Sequence, residues 1–302
     1  MHSLDIETLR VTVSKIDIWY FTLAIGVLAT VPLIAVPRWQ GILAALDWPM
    51  PYGILTRALY VGAFFSQILP SSVDGDVWRI WHCTRAGVPA TTSAYSVLIE
   101  RFAGVCATLI FFAASFAALM ARVGDARLRW VLWTLLIACI GAFVSAIMLG
   151  AGANAVSRVR LLYPFAGLAQ ALASVGRSGK VILIMVVTAI MGQLVASIGY
   201  FSLAHSAGAP LSFGQCVATM PPALLIALFP ASLGGWGLRE GAFIMILRWY
   251  GIPAEQALLL SISFGLALLI STLPGLFLWW WQPVGSSSAA IDAALRSPLR
   301  SR

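Results

Sequence analysis

Charge is scarce in this sequence. Asp, Glu, Lys and Arg make up 10% of its 302 residues, against about 25% in a soluble globular chain. That shortage excludes a water-soluble domain wrapped in a charged surface, and the hydrophobic set at 60% points to a membrane protein. Cysteine is scarce as well. The four present, Cys83, Cys106, Cys139 and Cys216, form no C-x-x-C pair and sit mostly in apolar runs, so they read as packing residues, not as a disulfide frame or a zinc site. Three scattered histidines, His2, His82 and His205, suggest no metal either. There is no phosphate-binding nucleotide loop and no G-x-S-x-G elbow, which leaves an ATP-driven pump and a serine hydrolase without their signatures. No cofactor and no metal are expected.

What is abundant is uncharged, apolar sequence. Five stretches free of Asp, Glu, Lys and Arg reach spanning length: residues 18–36, 102–121, 131–150, 181–205 and 257–282. About 20 residues at a rise of about 1.5 Å cross a hydrocarbon core of roughly 30 Å. The first stretch is longer than a signal-peptide core and lacks a small-x-small cleavage site, so an uncleaved helix is expected. Pro37-Arg38-Trp39 reads as its aromatic and basic interfacial anchor. The runs leave no room for a separate soluble catalytic domain, and one integral membrane domain over residues 1–282 is expected. Residues 283–302, rich in Ser, Ala and Arg, read as a disordered basic tail. The net charge of +8 lies mostly in loops and tails, where it serves orientation and contact with anionic lipid headgroups. Nucleic-acid binding is not expected.

One stretch occurs twice. Leu69-Pro70-Ser71-Ser72-Val73-Asp74-Gly75-Asp76-Val77-Trp78-Arg79 returns 160 residues later as Phe229-Pro230-Ala231-Ser232-Leu233-Gly234-Gly235-Trp236-Gly237-Leu238-Arg239. Pro70/Pro230, Ser72/Ser232, Gly75/Gly235 and Arg79/Arg239 coincide. A second punctuation follows each copy, Gly87-Val88-Pro89-Ala90 and Gly251-Ile252-Pro253-Ala254. The fold class expected is therefore all-α: a polytopic helical membrane protein of two repeated units, about 18–121 and 181–282, each with a broken or re-entrant helix. If the five long runs cross and the broken units are re-entrant, three crossings separate the breaks and the repeats are inverted. If residues 52–69 and 213–229 also cross, the count is four and the repeats are parallel. Precedent among transporters favours inversion. The basic residues on the two sides are too evenly divided to fix orientation.

Proline and glycine after an apolar run stop a helix and leave backbone groups unpaired. Within a membrane this is tolerated where the backbone lines a wet cavity or is buried in protein. The segment after each break opens with free N–H groups and a positive dipole end, and Arg79 and Arg239, one to two turns in, add a fork matched to phosphate. A surface turn with a snorkelling arginine explains one copy; two copies favour a pair of receptors for an anionic headgroup. The helix-break positions Pro70, Ser72, Gly75, Pro230, Ser232, Gly234, Gly235 and Gly237 form the scaffold. Intramembrane ionisable residues each cost about 2.5–3.5 kcal/mol unless paired or hydrated. Glu100 and Arg101 point about 100° apart on one helix, so each seeks a partner elsewhere: Glu100 with Arg239, or Glu240 with Arg101. An interfacial position for the Glu100-Arg101 doublet is the competing reading. Gln67, Gln193 and His205 read as helix–helix hydrogen-bonding residues.

These residues resemble the lysylphosphatidylglycerol synthase transmembrane family, the flippase-like membrane region of the multiple peptide resistance factor and its stand-alone relatives. Arg38-Trp39, the 69–79 stretch and Ser96-Val97-Leu98-Ile99-Glu100-Arg101-Phe102-Ala103-Gly104 are similar to the family's first block. The second block runs from Phe229 through Arg239-Glu240-Gly241 and is similar to its Pro-x-Ser-x-Gly-Gly-x-Gly-x-Arg-Glu signature. Asp74 departs from the family, which shows Gly there, and that leaves the shape of the first turn open. The resemblance implies a multi-pass inner-membrane protein that translocates a lipid, with Asp76, Arg79, Glu100, Arg101, Arg239 and Glu240 lining a central substrate-binding site. With only the membrane region, synthase activity on aminoacyl-tRNA is not carried over.

The function expected is thus a flippase or transporter of a lipid with an anionic or phosphate headgroup, not driven by ATP. The alternative is an integral membrane enzyme transferring a group to or from a lipid carrier, with Asp76 or Glu100 as base. A membrane lipid is the expected partner; a lipid-biosynthesis enzyme and a second copy of the chain are the protein partners left open.

Overall fold

Hydrocarbon offers no hydrogen bonds, so each apolar run must close its backbone bonds within itself. In a computed structural model, which describes residues 16–69, 74–152, 165–227 and 237–281, the runs do this as helices; among the described residues there are eleven helices and no strand. In chain order they are α1 (Ile18–Ala29), α2 (Val31–Ala45), α3 (Tyr52–Ile68), α4 (Asp74–Arg85), α5 (Ala90–Met120) and α6 (Ala126–Ala151). Then come α7 (Ala166–Gly176), α8 (Gly179–Ser206), α9 (Phe213–Ala227), α10 (Leu238–Arg248) and α11 (Ala254–Trp280). Four spans are long and apolar enough to cross a membrane: α1 with α2 (28 residues), α5 (31), α8 (28) and α11 (27). The fifth expected run lies in the 26-residue α6. The chain is a multi-pass membrane protein.

Caps fall where the sequence offers them. Asp17 accepts from the Trp19 and Tyr20 amides to start α1, and Ser178 accepts from Val181 to start α8. Pro89 and Pro253 immediately precede α5 and α11, where a missing N–H costs nothing. α5 opens at Ala90 and α7 at Ala166.

Proline does not end helices everywhere. The sequence expectation that Pro37 closes the first span is wrong: α2 continues through it to Ala45. Pro37 cannot bond the carbonyl four residues back, that of Leu33, and the Tyr52 hydroxyl donates to that oxygen instead at 3.4 Å. At the α1–α2 junction, Tyr60 on α3 donates to the Ala29 carbonyl at 2.5 Å. Two hydroxyls from α3 thus satisfy carbonyls of the interrupted first span. The expected anchor is corrected with it. Trp39 has no exposed surface and Arg38 is 8% exposed, so both face the protein interior.

The short helices pack beside long ones in matching fashion. α3 lies against α11 and α9 against α5; α4 packs on α3 and α5, α10 on α9 and α11; and α1 and α2 lie along α8. Small residues allow the closest approaches. Gly275 of α11 sits on the Tyr60 carbonyl of α3, and Gly75 of α4 sits on the Gly62 carbonyl of α3, each leaving no room for a Cβ. The larger apolar core joins α5, α8, α9, α10 and α11, with Tyr200 stacked on Phe243 at 5.2 Å and edge-on to Phe264 at 5.7 Å. A second core of Trp39, Leu55, Cys83 and Val97 fills the space among α2, α3, α4 and α5. The charged residues gather beside this second core.

Candidate functional site

In α4 the buried residues are Gly75, Asp76, Arg79, His82 and Cys83, the spacing of one helical face. That face carries Asp76 and Arg79 together toward α5. In α5 the buried set includes Ser93, Ser96, Val97, Glu100 and Ala103, and this face turns Glu100 toward α4 and α2. Arg38 arrives from the unbroken part of α2. Hydrophobic periodicity on three helices therefore brings these ionisable side chains to one place.

Glu100 is the hub. Its Oε2 lies 2.9 Å from Nη1 of Arg79, and its Oε1 accepts from Nη2 and, at 3.1 Å, from Nε of Arg38. Arg79 also lies 3.5 Å from Asp76 Oδ1, and Arg101 pairs through Nε with the other Asp76 oxygen. Arg101 keeps 38% of its side chain exposed while the other four side chains are buried, so Arg101 stands at the open edge of the network. The five side chains carry three positive and two negative charges. Asp74, at the first position of α4, is half-buried nearby in sequence.

The Arg79 guanidinium lies 4.1 Å from the centre of the Trp39 ring, a cation–π contact. Trp39 is fixed in turn: its Nε1 donates to Ser96 Oγ at 3.0 Å, and Ser96 donates to the Ser93 carbonyl at 2.8 Å. Arg79 is thus held over an indole and pinned at Nη1 by two carboxylates. Its Nε and Nη2 are buried and have no hydrogen-bond partner among the described residues. Buried donors left unpaired cost about 1–3 kcal/mol each.

The second half builds a smaller constellation. Gly237 adopts φ 90° at the start of α10, a left-handed conformation that favours glycine. Its N–H donates to Glu240 Oε2, a carboxylate in the first turn. Arg239 donates to Glu240 Oε1 through Nη2 at 2.9 Å and Nε at 3.2 Å, and Ser261 of α11 lies 3.4 Å from the same oxygen. Arg239 and Glu240 are both buried.

Several expectations change. Adjacency in sequence separates Glu100 from Arg101 but not Arg239 from Glu240, which meet at a helix terminus. Glu100 pairs with Arg38 and Arg79, and Glu240 with Arg239. Glu100, 5% exposed, faces the protein interior. The sequence-matched arginines also differ in depth: Arg79 is the sixth residue of α4 and Arg239 the second of α10. Val77 continues a helix where Gly237 caps one. Of the helix-break positions, Gly75 and Gly237 are described as above, while Pro70, Ser72, Pro230, Ser232, Gly234 and Gly235 lie outside the described residues. Gln193 does bridge helices, its Oε1 lying 3.2 Å from Thr108 Oγ1 of α5, whereas His205 meets the Phe201 carbonyl of its own helix.

Arg38 was missed as a site residue. Reading Pro37 as a helix end put it at the membrane surface; its only sequence signal was Arg38-Trp39 as part of the first family block. No group of three or more His, Cys, Asp and Glu side chains suited to a metal ion occurs among the described residues, and the polar chemistry of the site is that of arginines, carboxylates and an indole.

The family model described as the lysylphosphatidylglycerol synthase TM region matches residues 1–275. No curated protein and no solved structure matches the chain. A match running from the first residue to within the last spanning helix covers both broken segments and every side chain of the two constellations, and the chain belongs to the lysylphosphatidylglycerol synthase transmembrane-region family.

Proposed function

We propose that the protein moves an anionic lipid across the inner membrane without ATP, taking the headgroup at the Arg79 network and passing it between two broken-helix units. The observation that carries this is the state of Arg79. A buried guanidinium, set over the Trp39 ring and pinned by Glu100, keeps two donors with no partner among the described residues. Two parallel donors on one planar fork suit two oxygens of a phosphate or carboxylate. A bound anion would relieve their cost. The family is one concerned with lipid handling, which supports a lipid as the anion's carrier.

In this reading the halves are inverted repeats, about 18–121 and 181–282, within one membrane domain over residues 1–282. Their order is the same: a long span, two short helices around a break, then a long span, with lengths of 28, 17, 12 and 31 residues against 28, 15, 11 and 27. The exchange of neighbours, α3 with α11 and α9 with α5, is what a pseudo-two-fold relation requires. With α5, α6 and α8 crossing between the breaks, the two units point oppositely, and alternating access follows from rocking one unit against the other.

An enzymatic role with Asp76 or Glu100 as general base is less well supported. A base must be free to take a proton, and both carboxylates are held by arginines.

The test is reconstitution into vesicles carrying fluorescent phosphatidylglycerol or phosphatidylcholine in one leaflet. The protein should accelerate transbilayer movement of the anionic lipid with no nucleotide added. Movement no faster than in protein-free vesicles overturns the proposal, and turnover of a lipid-linked donor by the same preparation would favour the enzyme.

A further inference from the structure

Away from the charged network, α5 and α8 are held apart on one side and leave a groove of about 690 Å³. Phe102, Cys106 and Ile110 of α5 form one wall, Met185 and Ala189 of α8 the other, and Leu172 of α7 closes an end. The walls run about 12 Å along each helix at about 1.5 Å per residue. The groove lies beside the face of α5 that carries Glu100 and shares Ala103 with it, and Ile110 and Val186 open it to the surroundings.

Its two ends differ. At one, Ile99 packs with Val175 and Val181, and the lining turns basic: Arg177 borders the groove and Lys180 follows in the first turn of α8. Both are exposed, and that turn contains no acidic residue. The amide groups and positive dipole end of α8 point to the same corner. At the other end, one turn beyond Ala189, Gln193 meets Thr108 of α5 and ties the two helices together. Thr108 Oγ1 also lies 3.1 Å from the Gly104 carbonyl, and its single proton serves one of the two. Gln193, 8% exposed, keeps its Nε2 without a partner among the described residues.

We infer that this groove binds one acyl chain of an anionic phospholipid, with the phosphate at Arg177, Lys180 and the start of α8. The occupant follows from complementarity: an apolar slot about 12 Å long, opened by the exposed Ile110 and Val186, with its cations at one end only. A neutral lipid satisfies the slot but not the corner, and a free anion the corner but not the slot. The Thr108–Gln193 contact bounds the depth of the chain. This lipid is a bound one, separate from whatever crosses at Arg79, and its test needs no transport step.

The full chain in nanodiscs is irradiated with phosphatidylglycerol carrying a diazirine in one acyl chain, and in parallel with phosphatidylcholine carrying the same chain; adducts are mapped by mass spectrometry. Adducts should concentrate at 102–110 and 182–190, with phosphatidylglycerol favoured about fivefold per basic residue. Arg177→Gln with Lys180→Gln should abolish that preference and leave phosphatidylcholine labelling unchanged. Ala189→Phe should empty the groove of adducts while labelling elsewhere persists. Since a phenylalanine can also shift the helices, the wild type supplies a second reading. Cys106 lines the groove, and its alkylation by a lipophilic maleimide should slow as phosphatidylglycerol is titrated in. Adducts spread evenly around the apolar belt, or a Cys106 rate indifferent to phosphatidylglycerol, would overturn the inference.

Discussion

Arg79 reaches Glu100 across the α4–α5 contact, Nη1 to Oε2 at 2.9 Å, from 21 positions away in the chain. The pair converts two segments that are each polar breaks in sequence into one buried network. Arg79 is not neutralised outright, because Glu100 is shared with Arg38 and Asp76 with Arg101. Sharing leaves the central arginine held in place yet partly unsatisfied, which is the condition a transient anion site requires. A cation bound by a private carboxylate would have no reason to take a headgroup.

Glu100→Gln should show how far the network depends on its hub. Arg38 and Arg79 would then lose their common counter-charge while remaining buried. Breaking a buried pair from one side costs about 3–5 kcal/mol, so unfolding of the detergent-solubilised protein should occur at markedly lower temperature. Glu255→Gln, at the polar start of α11, should leave the midpoint unchanged. Equal midpoints for the two variants would mean that the buried pairing contributes little.

Trp39 serves Arg79 as a plate and Ser96 as a donor, and two substitutions separate these roles. Trp39→Phe keeps an aromatic face under the guanidinium but loses the bond to Ser96 Oγ, a net loss of about 0.5–1.5 kcal/mol. Trp39→Leu loses both, together with aromatic volume at a site with no exposed surface, for a loss of roughly 3–5 kcal/mol. Thermal unfolding should rank wild type, Phe and Leu in that order. In vesicles, lipid movement should survive in the Phe variant and fail in the Leu variant.

Gly75, expected as a helix-break residue, lies inside α4 and is a packing requirement there. A Cβ there would overlap the Gly62 carbonyl oxygen and the Ser66 hydroxyl, and backbone cannot move aside as a side-chain end can. Gly75→Ala should therefore lower stability by about 1–3 kcal/mol, the usual range for overpacking. Gly104→Ala on α5 meets nothing within 4 Å and should be neutral or stabilising by up to about 1 kcal/mol. Yield and melting temperature of the two variants decide the point, and similar behaviour would refute the α3–α4 contact.

The all-helical class and the long spans were legible because apolar run length is a direct signal inside a membrane. The duplicated segment located α4 and α10, and counting intramembrane charges singled out Asp76, Arg79, Glu100, Arg101, Arg239 and Glu240. What sequence could not supply was long-range rescue. Pro37 reads as a stop, and nothing local reveals that Tyr52, fifteen residues on, donates to the carbonyl that the proline frees. Arg38 was misplaced for that reason alone. The partners of Glu100 were equally hidden, since helix faces fix direction but not which helix lies opposite. The pairing of Arg239 with Glu240 depends on a glycine cap whose positive φ lets neighbouring side chains converge, an exception to helical spacing.

The most direct measurement is transbilayer movement of fluorescent phosphatidylglycerol in vesicles containing wild type or Arg79→Ala. The variant is informative because removing Arg79 leaves Glu100 paired with Arg38 and Asp76 paired with Arg101, so no carboxylate is stranded and the fold should persist. Loss of a charge-assisted contact worth about 1.5–3 kcal/mol predicts a fall in rate of roughly ten- to a hundredfold, with Arg127→Ala at the exposed start of α6 unchanged. A folded Arg79→Ala protein that moves phosphatidylglycerol at the wild-type rate would contradict the account.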